Sequence, residues 1–230
     1  LKQDNGLSPK SRVDKDTLTV LESCKPTSNG ARNLKRKFGS ILASIAAQNN
    51  IDEDVLGGFI LTESANCGFI DGKLLIRFEN HKFLELTSKS DASSLFKAEG
   101  NKNHQYYKDG KWHETHGNGQ TSEYEAFELA RNYDEEPAYR SISMGLPQIM
   151  GFNYSFAGYS SAKDMFDSFC IDEYTQVAAF GRFIAAYDNG SLLSACQQRD
   201  FFEMAKIYNG NGEAYKPKLE KNTADYANAL

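Results

Sequence analysis

The amino-acid sequence predicts a mostly α protein of the α+β class: a helical domain with one small β-hairpin. Apolar residues recur at helical spacing in many segments, whereas residues 68–79 contain two β-prone runs joined by an Asp-Gly pair, a strong hairpin signal. Hydrophobic residues make up 40% of the chain and charged residues 25%, which is the balance of a folded globular protein.

Three regions are predicted along the 230 residues. Residues 1–24 are too short to bury a core of their own and are interpreted as the C-terminal fragment of another domain. Residues 25–30 are rich in turn-forming residues and are predicted to be a linker. Residues 31–230 are long enough for one main domain, since domains usually contain about 100–200 residues.

Two helices are predicted at the start of this domain. Apolar residues at helical spacing run from Leu34 to Ile45, and the first helix is expected to end near residues 49–50. Acidic residues 52–54 then begin a second helix, where the helix dipole favours negative charge, and residues 55–60 supply its buried stripe.

Glu63 is an unusual acid because it lies on the apolar face of the second helix. It follows Phe59 by four residues and Val55 by eight, near the C-terminal end of the helix. An apolar environment and a helix C-terminus both disfavour the charged carboxylate and raise its pKa. Glu63 is therefore predicted to be a general acid.

The hairpin that follows offers a second carboxylate. Asp71 is predicted to serve as the turn former of the Asp-Gly pair and to point to solvent. Glu79, on the predicted return strand, is the candidate expected to lie opposite Glu63.

The rest of the chain is predicted to be a long loop followed by helices. Residues 88–122 are polar and glycine-rich, which is typical of a functional or mobile loop. An Asp109-Gly110 turn lies within it, flanked by aromatic residues that either stack on sugars or pack in a small hairpin. Helices are then predicted at 124–132, 137–144, 161–170, 172–187, 192–198 and 201–208.

Composition excludes several classes of protein. A net charge of -5 and a pI near 5.5 argue against a nucleic-acid partner, and no apolar run approaches the roughly 20 residues of a membrane span. The four cysteines form no CxxC pair and are predicted to be mostly buried thiols, with a disulfide at Cys67 as the open alternative. His113 and His116 are three residues apart rather than four, so no metal or other cofactor is predicted.

Three separated segments carry a family resemblance. Residues 61–69 (LTESANCGF), 143–151 (SMGLPQIMG) and 207–212 (IYNGNG) resemble, in order and type, segments of goose-type lysozymes and soluble lytic transglycosylases. Residues 69–72, 77–83, 140–145 and 148–154 look more closely like the N-acetylmuramidase domain of modular phage endolysins. Asn80 stands where that family has arginine, and Met144 where it has tryptophan.

The N-terminal fragment has a resemblance of its own. Residues 3–8 (QDNGLS) and 13–18 (VDKDTL) resemble the last third of the small peptidoglycan-binding domain of cell-wall hydrolases. Both resemblances imply the same substrate, the glycan strands of peptidoglycan.

The family resemblance implies a lysozyme-like fold and a muramidase that cleaves the β-1,4 bond between N-acetylmuramic acid and N-acetylglucosamine. Glu63 would act as general acid and Glu79 as the second carboxylate. Substrate-binding roles are implied for Ser143, Gln148, Asn153, Tyr208 and Asn209. The alternatives are a lytic transglycosylase that forms 1,6-anhydromuramyl products, and a module that binds peptidoglycan without cleaving it.

The resemblance also implies where the protein works. It would act on the bacterial cell wall, in the periplasm or outside the cell, and be encoded by a phage and made in the host cytoplasm. The chain is expected to be a monomer that neither inserts into membranes nor binds nucleic acid.

Overall fold

A computed structural model describes residues 28–64 and 67–229. The interpretation of residues 1–24 lies outside these ranges. The first helix begins at Ser28, so residues 28–30 belong to a helix and not to the predicted linker. The remaining domain boundaries stay predictions.

Most of the described chain is helical, as predicted. In chain order the α-helices are α1 (Ser28–Asn49), α2 (Glu53–Ser64), α3 (Asn80–Leu86), α4 (Gly119–Tyr133), α5 (Glu135–Arg140), α6 (Ala162–Phe169), α7 (Glu173–Ala186), α8 (Ser191–Gln197), α9 (Phe201–Asn209) and α10 (Gly212–Ala227).

Three small antiparallel sheets accompany the helices. Their strands are β1 (Phe69–Ile70), β2 (Lys73–Leu74), β3 (Ile76–Phe78), β4 (Phe96–Glu99), β5 (Lys102–Lys108), β6 (Lys111–Glu114), β7 (Ile142–Met144) and β8 (Ile149–Met150). Strands β1 and β2 form the predicted hairpin, the second sheet has the order β3-β7-β8, and the third has the order β4-β5-β6.

The hairpin is shorter than predicted, and this changes how Glu79 is placed. The return strand β2 ends at Leu74, and β3 pairs instead with β7, with Arg77 opposite Ser143. The prediction that the hairpin's return strand carries Glu79 is therefore wrong. Glu79 follows β3, which is fixed to a part of the chain more than sixty residues away.

Two further element predictions need correction. Residues 88–122 contain the sheet β4-β5-β6 and not one long loop; the alternative of a small hairpin at Asp109-Gly110 is confirmed, because β5 and β6 pair on either side of that turn. His104 and Tyr106 point inward on β5 and bury one face of the sheet, which the polar composition did not indicate. The helix predicted at 137–144 ends at Arg140, and β7 follows, buried along its whole length. Helices α3 and α10 were not predicted; Pro217 lies inside α10 and obscures it in the sequence.

Helix α2, which carries Glu63, is buried on nearly every side and packs most extensively on α10. The two helices approach closely at Gly57 and Gly58. A Cβ atom at Gly57 would overlap with the ring of Tyr226, and one at Gly58 with Thr223. Only glycine permits this separation, so α10 fixes the position of the helix that ends near Glu63.

The cysteines only partly follow the prediction of buried thiols. Cys196 is a buried thiol, Cys170 is an exposed one, and Cys67 is disulfide-bonded, which was the open alternative. Among residues 28–64 and 67–229, every helix is too short or too polar to cross a lipid bilayer.

Candidate active site

One cavity of about 430 Å³ joins residues that are far apart in sequence. The end of α2, the segment from β3 into α3, the β7-β8 sheet and the end of α9 all contribute to its wall. It is lined by Glu63, Arg77, Glu79, His81, Lys82, Asn101, Ser143, Gln148, Met150, Phe152, Tyr208 and Asn209.

Glu63 lies in this wall with its carboxyl group largely shielded from solvent. Burial raises its pKa from 4.5 to about 7, while a hydrogen bond from Tyr215 and the charge of Lys218 oppose the shift. The Tyr215 hydroxyl donates to Oε1 of Glu63 and so fixes the orientation of the carboxyl group. The shifted pKa allows a large protonated fraction near neutral pH, as a general acid requires.

Glu79 is the second acid of the cavity, and it is held by several groups. Its Oε1 accepts a hydrogen bond of 2.9 Å from Nε of Arg77, and its side chain is only 15% exposed. Its Oε2 lies 3.5 Å from Nδ1 of both His81 and His104. These contacts keep the carboxylate in one orientation in the same wall as Glu63.

Polar side chains of the β7-β8 turn complete the middle of the wall. Oγ of Ser143 donates to Oε1 of Gln148 at 2.8 Å, and Nε2 of Gln148 donates to the carbonyl of Gly145 at 2.8 Å. Gln148 is held in the left-handed region with a φ of 50°. The Tyr208 hydroxyl donates to the carbonyl of Pro147, which joins α9 to this turn.

The structure brings together all but one of the residues predicted for the site. Glu63, Glu79, Ser143, Gln148, Tyr208 and Asn209 line the cavity. Asn153 does not; it ends a 3₁₀ turn in which its carbonyl accepts from the N–H groups of Phe156 and Ala157. Its neighbour Phe152 lies in the wall instead. Asp71 is exposed at the hairpin turn with a φ of 52°, as predicted.

Several wall residues were not predicted, although a signal for them existed. Arg77, His81 and Lys82 belong to the segment 77–83 that carries the family resemblance, so their proximity to Glu79 in sequence pointed to them. Met150 and Phe152 had the same signal, because they belong to the resembling segment 148–154. Asn101 gave no comparable signal, because it enters the wall through the turn between β4 and β5.

The departure from the family pattern at Asn80 has a structural role. Its buried side chain donates to the carbonyls of Lys97 and Gln105 at 3.2 and 2.7 Å and accepts from Oγ1 of Thr115 at 3.0 Å. Asn80 thereby ties the β4-β5-β6 sheet to the residue next to Glu79. Met144, the other departure, is fully buried in the core and not in the cavity wall.

A histidine cluster lies beside Glu79. Nε2 of His116 and Nδ1 of His104 are 2.9 Å apart, and Nδ1 of His116 is 2.7 Å from Oε1 of Glu123. Burial lowers the pKa of His104 to about 4, against the opposing charge of Glu79, so its imidazole is neutral at pH 7. In the part of the chain that the structure describes, Glu79, His104 and His116 are the group whose side-chain atoms could hold a metal ion.

Comparison with known families identifies the kind of enzyme to which this cavity belongs. The family model for N-acetylmuramidase matches residues 52–227, which include every wall residue of the cavity. The chain belongs to the N-acetylmuramidase family.

A solved structure similar to this muramidase is the crystal structure of the Burkholderia AP3 phage endolysin. The two have 27% sequence identity and a TM-score of 0.61, and the match covers 82% of this chain and 69% of that one. No curated protein sequence matches the muramidase. The family and the structural likeness show a peptidoglycan hydrolase of the glycoside hydrolase type with an endolysin-like fold that acts on the cell wall.

Proposed function

We propose that this muramidase hydrolyses the β-1,4 bond between N-acetylmuramic acid and N-acetylglucosamine, with Glu63 as general acid and Glu79 as the second carboxylate. The observation that supports this proposal most directly is the pairing of two unlike acids in one cavity. Glu63 has a pKa raised to about 7 by burial, whereas Glu79 is held by Arg77 and two imidazoles. The raised pKa of Glu63 suits the role of general acid, which leaves Glu79 as the candidate for the second catalytic group.

In the proposed reaction, Glu63 donates its proton to the glycosidic oxygen as the bond to C1 breaks. Positive charge develops on the sugar ring in an oxocarbenium-like transition state. Glu79 orients a water molecule, accepts its proton as the oxygen attacks C1, and later releases that proton to solvent. The Tyr215 hydroxyl stabilises the Glu63 carboxylate until the carboxylate regains a proton.

The remaining wall residues are proposed to bind the glycan. Ser143, Gln148 and Asn209 present hydroxyl and amide groups that suit sugar hydroxyls and N-acetyl groups, and Tyr208 shapes the wall through its contacts with Phe59. Phe152 offers an apolar surface beside these polar groups. Apolar and polar groups together are typical of a carbohydrate cleft.

Mass spectrometry of digested peptidoglycan tests the proposed reaction. We expect fragments with a reducing N-acetylmuramic acid end that carry one added water for each bond cleaved. Fragments that end in reducing N-acetylglucosamine would refute the proposed bond. Anhydromuramyl ends would show transglycosylation, and no release of fragments would indicate a binding module.

The pH dependence of activity provides a second test. Because Glu63 acts in its protonated form, kcat/KM should fall tenfold per pH unit above its pKa of about 7. The measurement uses soluble glycan fragments, which avoids changes in the charge of intact walls, and circular dichroism checks that the enzyme remains folded. A rate that stays constant up to pH 9 would contradict the assignment of Glu63.

A further inference from the structure

Three of the four histidines of the chain surround a single carboxylate, Glu79. The ring of His104 lies between those of His81 and His116, with centroid distances of 5.2 and 4.7 Å. Nδ1 of His81 and Nε2 of His104 are buried without a hydrogen-bond partner. The proposed hydrolysis uses the carboxylate of Glu79 but none of the three imidazole rings around it.

The geometry points to a metal site. We propose that Glu79, His104 and His116 bind a divalent transition-metal ion of the zinc type, and that the bound ion inhibits the enzyme. The inhibitory half rests on the proposed role of Glu79 in hydrolysis. The binding half rests on the cluster alone.

The candidate ligand atoms are close enough for one ion. One ligand atom of each residue lies within 4.8 Å of the others. Nδ1 of His104 lies between Oε2 of Glu79 and Nε2 of His116, at 3.5 and 2.9 Å. Zinc at its usual bond length of about 2.0–2.1 Å separates two tetrahedral ligands by roughly 3.3 Å. The 3.5 Å between Glu79 and His104 suits this separation, and the 2.9 Å between the two histidines needs only a small widening.

A supporting carboxylate is already in place behind the cluster. Glu123 lies 2.7 Å from Nδ1 of His116, and its other oxygen accepts the backbone N–H of Phe78 at 2.7 Å. Histidines that bind metals usually donate their second ring N–H to a carboxylate, which fixes the ring and its tautomer. With Nδ1 of His116 donating to Glu123, Nε2 of His116 is left with a lone pair that faces the cluster.

The ligand set and its surroundings define the class of ion. Two imidazoles and one carboxylate suit zinc, copper or nickel, whereas magnesium and calcium prefer oxygen ligands. Three protein ligands leave a position for water. His104 and His116 line a second pocket of about 250 Å³, which gives an ion access to them. Because Glu79 lines the catalytic cavity, an ion bound to all three residues would occupy a lone pair that Glu79 needs to accept a proton from water.

Titration of the metal-stripped enzyme with zinc chloride tests binding directly. Isothermal calorimetry should show one ion per chain, and cobalt added in place of zinc should give the visible absorption of a tetrahedral site. His116→Gln keeps hydrogen bonding to Glu123 and should weaken binding at least tenfold. Glu123→Gln should weaken it by about 10–100-fold, which is the usual cost of losing a supporting carboxylate.

His113→Gln is the matched control. His113 lies on β6 near His116, but its Nε2 contacts the carbonyl of Lys108 and its ring stacks on Tyr106, outside the cluster. This variant should bind zinc as the wild type does. Thermal melting of all three variants checks that each is folded.

Inhibition is measured with soluble glycan fragments. Zinc should reduce hydrolysis by the wild type and by His113→Gln at the concentrations that saturate binding, and have at least tenfold less effect on His116→Gln. Absence of binding, or equal binding by folded His116→Gln, would overturn the metal site. Binding at one ion per chain without loss of hydrolysis would preserve the site but refute inhibition and, with it, the role of Glu79.

Discussion

Glu63→Gln is expected to lower the rate of glycan hydrolysis by about 10²–10⁴-fold, because the amide keeps the shape of the side chain but has no acidic proton for the leaving oxygen. Initial rates of turbidity clearing and of fragment release measure the loss. Glu220→Gln, an exposed substitution on α10, is the matched control and should retain wild-type activity. Retention of more than a tenth of the activity by Glu63→Gln would exclude Glu63 as the acid.

The same variant should be more stable than the wild type at pH 8. The pKa of Glu63 in the folded protein is raised from the ordinary value of 4.5 to about 7. The protonated Glu63 therefore contributes to the free energy of unfolding below pH 4.5, and this contribution is lost as the pH rises to about 7. Glutamine carries no charge and avoids this loss. Urea unfolding at pH 8 should therefore show a gain of about 1–3 kcal/mol in the free energy of unfolding. An inactive variant that is also less stable would indicate damage to the fold.

Glu79→Gln is expected to give the second large effect, a decrease of about 10²-fold or more in kcat with a smaller change in KM. Its amide oxygen can still accept from Arg77, but the side chain can no longer take a proton from the attacking water. Asp71→Asn provides the control, because asparagine tolerates the positive φ of the hairpin turn. This control should keep its activity.

Product analysis of Glu79→Gln separates the two mechanisms. A hydrolase with two carboxylates loses its water-derived products in this variant. If Glu79→Gln instead keeps wild-type rates and yields anhydromuramyl ends, the single-acid transglycosylase mechanism would replace the one proposed. The stereochemistry of the wild-type product, followed by NMR, adds a geometric prediction: inversion at C1 requires carboxyl groups about 6.5–9.5 Å apart, and retention about 5–5.5 Å.

The sequence could predict a site residue where the surroundings of that residue come from nearby positions in the chain, and could not where they come from distant segments. Glu63 was predictable because helical spacing alone places it on the face of Phe59. Glu79 lines the same cavity as Glu63, as the sequence suggested, but it is not placed there by the hairpin. Its position depends on the pairing of β3 with β7, which is a contact between distant segments. Hydrophobic patterns within a short window contain no information about such a partner.

The histidine cluster lay beyond sequence reasoning for the same reason. His104 and His116 are on different segments, and the buried Asn80 joins their sheet to the segment that contains Glu79. Spacing along the chain suggested only the pair His113 and His116, whose rings point to different surroundings in the folded protein. The helix α10 was hidden by Pro217, because proline normally ends a helix.

The packing of α2 against α10 has a consequence for how the enzyme is made. Glu63 and Tyr215 are 152 residues apart in sequence, and Gly57 meets Tyr226 still later in the chain. Contacts of such high sequence separation form late, and synthesis proceeds from the N-terminus. A nascent chain without α10 lacks the helix against which α2 packs, and it also lacks the Tyr215 hydroxyl that orients Glu63. The proposed general acid is therefore held in place only after α10 has been synthesised and has packed against α2.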